Sequence, residues 1–146
     1  MKVTILFSLL SICFLSCENN NTTDDTSVTE TTLTNSNQIR IEEDLYNNIY
    51  SGYVINSVSL NEHTLQLSIS YSGGCGDFEY DLVTNGLYLE SSPAQLYIKL
   101  AFAEEDDCEA WITKNLSFNL QPIHYTSSGT IILHLEDWNE SISYSY

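Results

Sequence analysis

From Tyr53 onward the apolar residues recur at almost every second position, and a chain patterned this way can bury one continuous face only as β-strands. Leu65, Leu67, Ile69 and Tyr71 alternate with Thr64, Gln66, Ser68 and Ser70, and Ser72-Gly73-Gly74 supplies the turn residues that end the run. Phe78, Tyr80 and Leu82 alternate with Glu79 and Asp81. Asn85-Gly86 then predicts a hairpin turn, with Leu87 and Leu89 opening the return strand. Ser91-Ser92-Pro93 breaks the pattern ahead of Leu96, Ile98, Leu100 and Phe102, whose strand carries Tyr97 and Lys99 on its other face. Leu116, Phe118 and Leu120 stop at Pro122; Ile131, Leu133 and Leu135 follow Gly129; Ile142, Tyr144 and Tyr146 end the chain. About eight strands at spacings of roughly ten residues predict an all-β fold, an antiparallel β-sandwich with Ig-like topology rather than a closed barrel. Glu42 to Tyr50 fits either a short helix or an irregular lead-in.

The first residues follow another logic. Lys2 precedes an apolar run from Val3 to Leu15, about 13 residues, shorter than the roughly 18 to 20 that cross a bilayer as a helix. The run reads as a secretory signal. Phe14-Leu15-Ser16-Cys17 then sets a cysteine after a small residue, and Glu18-Asn19-Asn20-Asn21 turns polar at once. This resembles the lipobox of bacterial lipoproteins. The resemblance implies cleavage before Cys17, diacylglycerol on its thiol, a fatty acyl group such as palmitate on its amine, and residence at the bacterial cell envelope, on the outer membrane. Several acyl chains anchor stably where one does not. The expected segments are a signal peptide over 1–16, lipidated Cys17 with a flexible polar tether over 17–38, and the sandwich domain over 39–146. Val28 and Leu33 are the tether's only larger apolar residues, too few to order it. About 21 flexible residues span roughly 25 Å.

Charge and cysteines narrow the partners. Asp and Glu number 20 against 4 Lys and Arg, a formal charge of -16 that excludes a general nucleic-acid binder, which needs a basic stripe to displace counterions. Contact with the membrane is expected through the lipid alone. With Cys13 lost in the signal and Cys17 lipidated, Cys75 and Cys108 are the thiols left in an exported chain, and they are expected to form a disulfide. A bridge brings the two α-carbons within about 4.4 to 6.8 Å. It would set Asp77, Glu79 and Asp81 against Glu104, Glu105, Asp106, Asp107 and Glu109. Calcium, which takes several oxygens, is the ion such a corner could hold, with Asp77, Glu79, Asp106, Asp107 and Glu109 as ligands. The alternative is a solvated acidic face, since two carboxylates about 7 Å apart in water repel by only about 0.6 kcal/mol. No other cofactor is expected.

Four segments occur in order: Ser72-Gly73-Gly74-Cys75-Gly76, Phe78-Glu79-Tyr80-Asp81-Leu82, Asp106-Asp107-Cys108-Glu109-Ala110 and Leu116-Ser117-Phe118-Asn119-Leu120-Gln121-Pro122. Together they resemble a group of small secreted bacterial lipoproteins of unknown function that share a Gly-Gly-Cys turn, a Cys-Glu-Ala segment and a Leu-x-Phe-Asp-Leu-x-Pro segment. The likeness runs from about Leu60 to Leu135. It implies a secreted β-rich domain bridged between these cysteines and attaches no activity. A histidine common in that group at the third position after the first cysteine is Phe78 here.

His63, His124 and His134 stand apart in sequence, and no serine carries the surroundings of an activated nucleophile, so no catalytic residue is expected. Trp111, Trp138 and the 10 tyrosines are expected to be half-buried strand residues, with Trp111 packed on the bridge and Tyr144 and Tyr146 covering a sheet edge. An exposed group of such rings would stack on sugars or anchor a protein. The expected function is a lipid-anchored envelope domain acting as a non-catalytic interaction or structural module, its partner an envelope protein or glycan. A calcium- or carbohydrate-binding lipoprotein and a small secreted hydrolase are the alternatives.

Overall fold

The computed structural model of the chain describes residues 32–146 except 106, 127 and 128. The expected signal peptide over 1–16, Cys17 with the first part of the expected tether, and Asp106 therefore lie outside the described residues. In order the elements are β1 (Arg40–Ile41), α1 (Glu43–Asn47), β2 (Tyr53–Asn61), β3 (Thr64–Gly73), β4 (Phe78–Thr84), β5 (Ala94–Glu104), β6 (Ala110–Asn119), a 3-10 turn (Gln121–Ile123), β7 (Thr130–Leu135) and β8 (Ser141–Ser145). They form two sheets in a sandwich-like all-β fold, one of five strands in the order β1-β4-β5-β7-β8 and one of three in the order β2-β3-β6.

The alternation places the core as expected. Leu65, Leu67, Ile69, Leu116 and Phe118 from the smaller sheet are buried in one cluster with Leu82, Leu96, Ile98, Leu100, Ile131, Leu133 and Tyr144 from the larger. Tyr144 is thus a core residue rather than the cover of an edge.

Alternation fixes faces but not partners, and here the expectation of wholly antiparallel pairing is corrected. β5 pairs in parallel with β7, Ala94 opposite Ile131, and β1 pairs in parallel with β4. After β5 the chain crosses to the other sheet, runs back along β6, and returns as β7 in the direction of β5. An Ig-like order of connections finds no support in that parallel pair. A second correction concerns Asn85-Gly86, which does not close a two-residue hairpin. The Thr84 hydroxyl accepts the Gly86 N–H and the Asn85 side-chain oxygen accepts the Leu87 N–H, so polar side chains end β4 and the chain leaves as a longer loop. Leu87 and Leu89 are exposed. Tyr88 turns inward instead, half-buried against the core and donating its hydroxyl to Ile123 O at 2.7 Å.

The ordered domain also begins earlier than composition suggests. Residues 32–38, read from sequence as tether, lie against the domain and continue through β1 and α1 as a strap. Beneath it Leu33, Leu45, Val83 and Ala101 form a second buried cluster, with Tyr46 and Tyr50 packed against it. β4 and β5 are therefore covered on both faces along this stretch. Asn119 on β6 accepts the Ile39 N–H and donates its own N–H to Asn37, so the strap joins the edge of the smaller sheet to β4.

Candidate functional site

A buried carboxylate adds to the backbone bonds and packing that hold the strap. Asp81, on the face of β4 that alternation marks as polar, is fully buried. One of its oxygens accepts the Thr34 N–H at 2.7 Å and an Arg40 guanidinium N–H at 2.6 Å; the other accepts the Ser36 N–H at 2.8 Å. Arg40 reaches on to Thr32 O and to the Glu42 carboxylate. Two of the partners of Asp81 are backbone amides some 45 residues away, which no apolar pattern announces.

Where the strap becomes α1 it forms one wall of a groove of about 370 Å³ on the outer face of the larger sheet. Tyr46 from α1, Tyr97 from β5, His134 from β7, and Glu136 and Trp138 from the turn after β7 line it. Tyr97 and His134 are opposite one another in the parallel β5–β7 pair, which stacks their rings with centroids 4.9 Å apart. Tyr97 remains 46% exposed. His134 Nε2 lies 2.8 Å from the Gln95 side-chain oxygen, so this nitrogen carries the proton and donates. Lys99 crosses beneath: its ammonium donates to Asn48 O at 3.0 Å, pairs with Glu136 at 3.1 Å and sits 5.2 Å from the centre of the Tyr46 ring. Burial first, then the negative charge of Glu136 and the neighbouring Tyr97, raise the Tyr46 hydroxyl above the usual tyrosine pKa. At neutral pH it is a donor. The parallel pairing that assembles this face was invisible to strand patterning.

At one end of the sandwich the fold joins two histidines that are 61 positions apart in sequence (124 minus 63). His63, in the β2–β3 turn, places Nδ1 at 2.9 Å from the Tyr144 hydroxyl, and His124, just past the 3-10 turn, places Nε2 at 2.6 Å from the same oxygen. A phenol has one proton to give, so at least one of the two rings must donate to it. Tyr144 is pushed up to about 12 by burial, then by Tyr146. Partial desolvation of the otherwise exposed His124, then the neighbouring His63, hold its pKa below the ordinary 6.5. The sign follows from which state takes the proton first. The unfolded chain does, so stability is lost as pH falls from 6.5 through the lower folded value. Melting temperature should drop as pH falls below about 6.5, and a His124→Asn variant should show a shallower drop. An unchanged slope in that variant would rule His124 out as the source.

At the opposite end Cys75 and Cys108 form the expected disulfide, with α-carbons 5.9 Å apart. Asp77, Glu79, Glu104 and Glu105 line a depression of about 220 Å³ beside it. Asp107 and Glu109 are not part of that lining, and Asp81 is committed to the strap. Among the described residues no group of three or more His, Cys, Asp or Glu side chains is placed to hold a metal ion. Of the five ligands expected for calcium, Asp77 and Glu79 line this depression, Asp107 and Glu109 do not, and Asp106 lies outside the described residues. Trp111, expected on the bridge, is 65% exposed on β6.

No family model and no curated protein matches this chain. Two solved structures are similar in part. One is a toxin-related protein from Parabacteroides distasonis, with 15% identity and a TM-score of 0.43, covering 64% of this chain and 50% of that one. The other is a protein of unknown function, DUF1344, from Bacteroides vulgatus, with 12% identity and a TM-score of 0.43, covering 75% of this chain and 53% of that one. The chain spans about half the length of each. Neither likeness bears on activity.

Proposed function

We propose that the protein is a lipid-anchored binding module of the bacterial cell envelope, carried on the outer membrane, which holds a partner rather than transforming a substrate. The observation that supports this reading most directly is the groove between α1 and the outer face of β5 and β7. It is concave, it presents Tyr46, Tyr97 and Trp138 beside a few polar groups, and two of those groups are held by partners behind the lining, His134 by Gln95 and Glu136 by Lys99. Such a composition belongs to sites that bind and position. The strap that walls the groove is the segment through which the chain arrives from Cys17. About 15 residues separate that cysteine from Thr32, and as a flexible chain they would hold the groove roughly 20 Å from the lipid.

The anchoring half of the proposal is tested in the expressing bacterium with labelled palmitate. The wild-type protein should take up the label and sediment with membranes, whereas Cys17→Ser should take up none and appear in the soluble envelope fraction. A wild-type protein that is unlabelled, or a Cys17→Ser protein that sediments equally, overturns it.

A further inference from the structure

We infer that the groove binds a neutral oligosaccharide, with one sugar ring laid on the exposed face of Tyr97 and the chain passing along Trp138; this rests on the reading of the groove as the binding face. Four observations lead there. The first is the pairing of flat rings with hydroxyl-matching groups. A pyranose ring presents C–H bonds to an aromatic face, whose negative quadrupole attracts them, while its rim carries hydroxyls that each need a donor or acceptor. Around Tyr97 the structure supplies the His134 ring, the Glu136 carboxylate and the protonated Tyr46 hydroxyl.

The second is that these groups are already satisfied in pairs, His134 with Gln95 and Lys99 with Glu136. An uncharged hydroxyl can share such partners. A charged ligand would have to compete for them. The third is the field of the whole molecule: at a formal charge of -16, an acidic polysaccharide or a nucleic acid is repelled on approach. The fourth is shape. Trp138 lines the 370 Å³ groove and also a second depression of about 140 Å³ with Asn139 and Glu140. Two adjoining hollows divided by one indole suit a chain of units better than a single compact molecule. The larger hollow falls at the lower end of the range for small-molecule sites, roughly 300 to 1,000 Å³, so it takes a short stretch of that chain.

The chain has two tryptophans, so a Trp111→Phe background makes Trp138 its only indole reporter. Full-length protein in detergent is titrated with neutral hexasaccharides of glucose, xylose, mannose and galactose, and with hexagalacturonate as the acidic control. At least one neutral probe should change Trp138 fluorescence saturably, and hexagalacturonate should not compete with it. Tyr97→Ala should weaken that binding by about tenfold or more, while Tyr97→Phe, which keeps the ring, should stay within about twofold. Tyr97 is well exposed, so neither change threatens the fold. No saturable change with any neutral probe up to millimolar concentration overturns the inference, as does binding that Tyr97→Ala leaves intact or that the acidic probe matches. A photo-crosslinking residue at position 97, with position 111 as control, separates this inference from the reading beneath it. If the neutral probes fail and position 97 alone traps one defined envelope protein, the binding module stands and its saccharide ligand falls. If the probes fail and neither position traps anything, both fall.

Discussion

Replacing Asp81 by Asn should release the N-terminal strap and lower the free energy of unfolding by about 3 kcal/mol, as expected when one partner of a buried charge pair is removed. Asn has nearly the shape of Asp, so the effect isolates chemistry from packing. Its amide would set donors against the Thr34 N–H and the Arg40 guanidinium in one orientation or against the Ser36 N–H in the other. Breaking a buried pair this way costs about 3 to 5 kcal/mol, and the lower end applies because the Arg40 side chain keeps 23% of its surface in water. Urea unfolding gives the magnitude. Hydrogen exchange gives the location: protection should vanish at the amides of 34 and 36 while amides of β3 and β5 in the main core keep theirs. A variant within 1 kcal/mol of wild type, about the size of an ordinary surface change, with those two amides still protected, would show that Asp81 is not what fastens the strap.

The disulfide should matter as much, by a different route. Cys75 lies on the β3–β4 connection and Cys108 on the β5–β6 connection, so one bond clips both crossings between the sheets at the same end of the sandwich. Closing a loop of about 34 residues removes unfolded-state entropy worth roughly 3.8 kcal/mol in the chain-entropy model. The Cys75→Ala/Cys108→Ala protein should melt about 15 °C lower or more, given the shift per kcal/mol of a domain this small. The two variants are expected to differ in kind. Loss of the bond acts on the whole unfolding equilibrium and changes the denaturant slope through a more expanded unfolded chain, whereas Asp81→Asn acts first on the strap. A doubly substituted protein melting within 3 °C of wild type would mean that the crossings are held by packing alone.

The candidate site was legible in the sequence only in its parts. Tyr97 was recognisable as an outward residue of its strand, and His134 as lying on the outer face of another, because a period of two assigns faces directly. That the two would meet depends on β5 and β7 being neighbours, and their neighbourhood is set by how the intervening β6 crosses to the other sheet. Tyr46 enters from a helix of five residues, too short to announce itself by periodicity. Asp81 misled for a related reason. Its alternation marked it as exposed, and it would be so if the strap did not lie over it. His63 and His124 looked solitary because the element that joins them is the buried hydroxyl of Tyr144, contributed by the last strand.

By itself the amino-acid order determined which side chains of each strand turn inward, and which two cysteines would find each other. The first follows from the pleat of an extended chain, and the second from the expectation that Cys13 is lost with a signal and Cys17 carries lipid, which leaves one pair of thiols. Strand neighbours, the cover over Asp81 and the rings gathered around Tyr97 were settled only by tertiary structure. Those choices depend on free-energy differences between whole arrangements, in which a buried carboxylate is tolerable only once distant backbone amides have come to meet it.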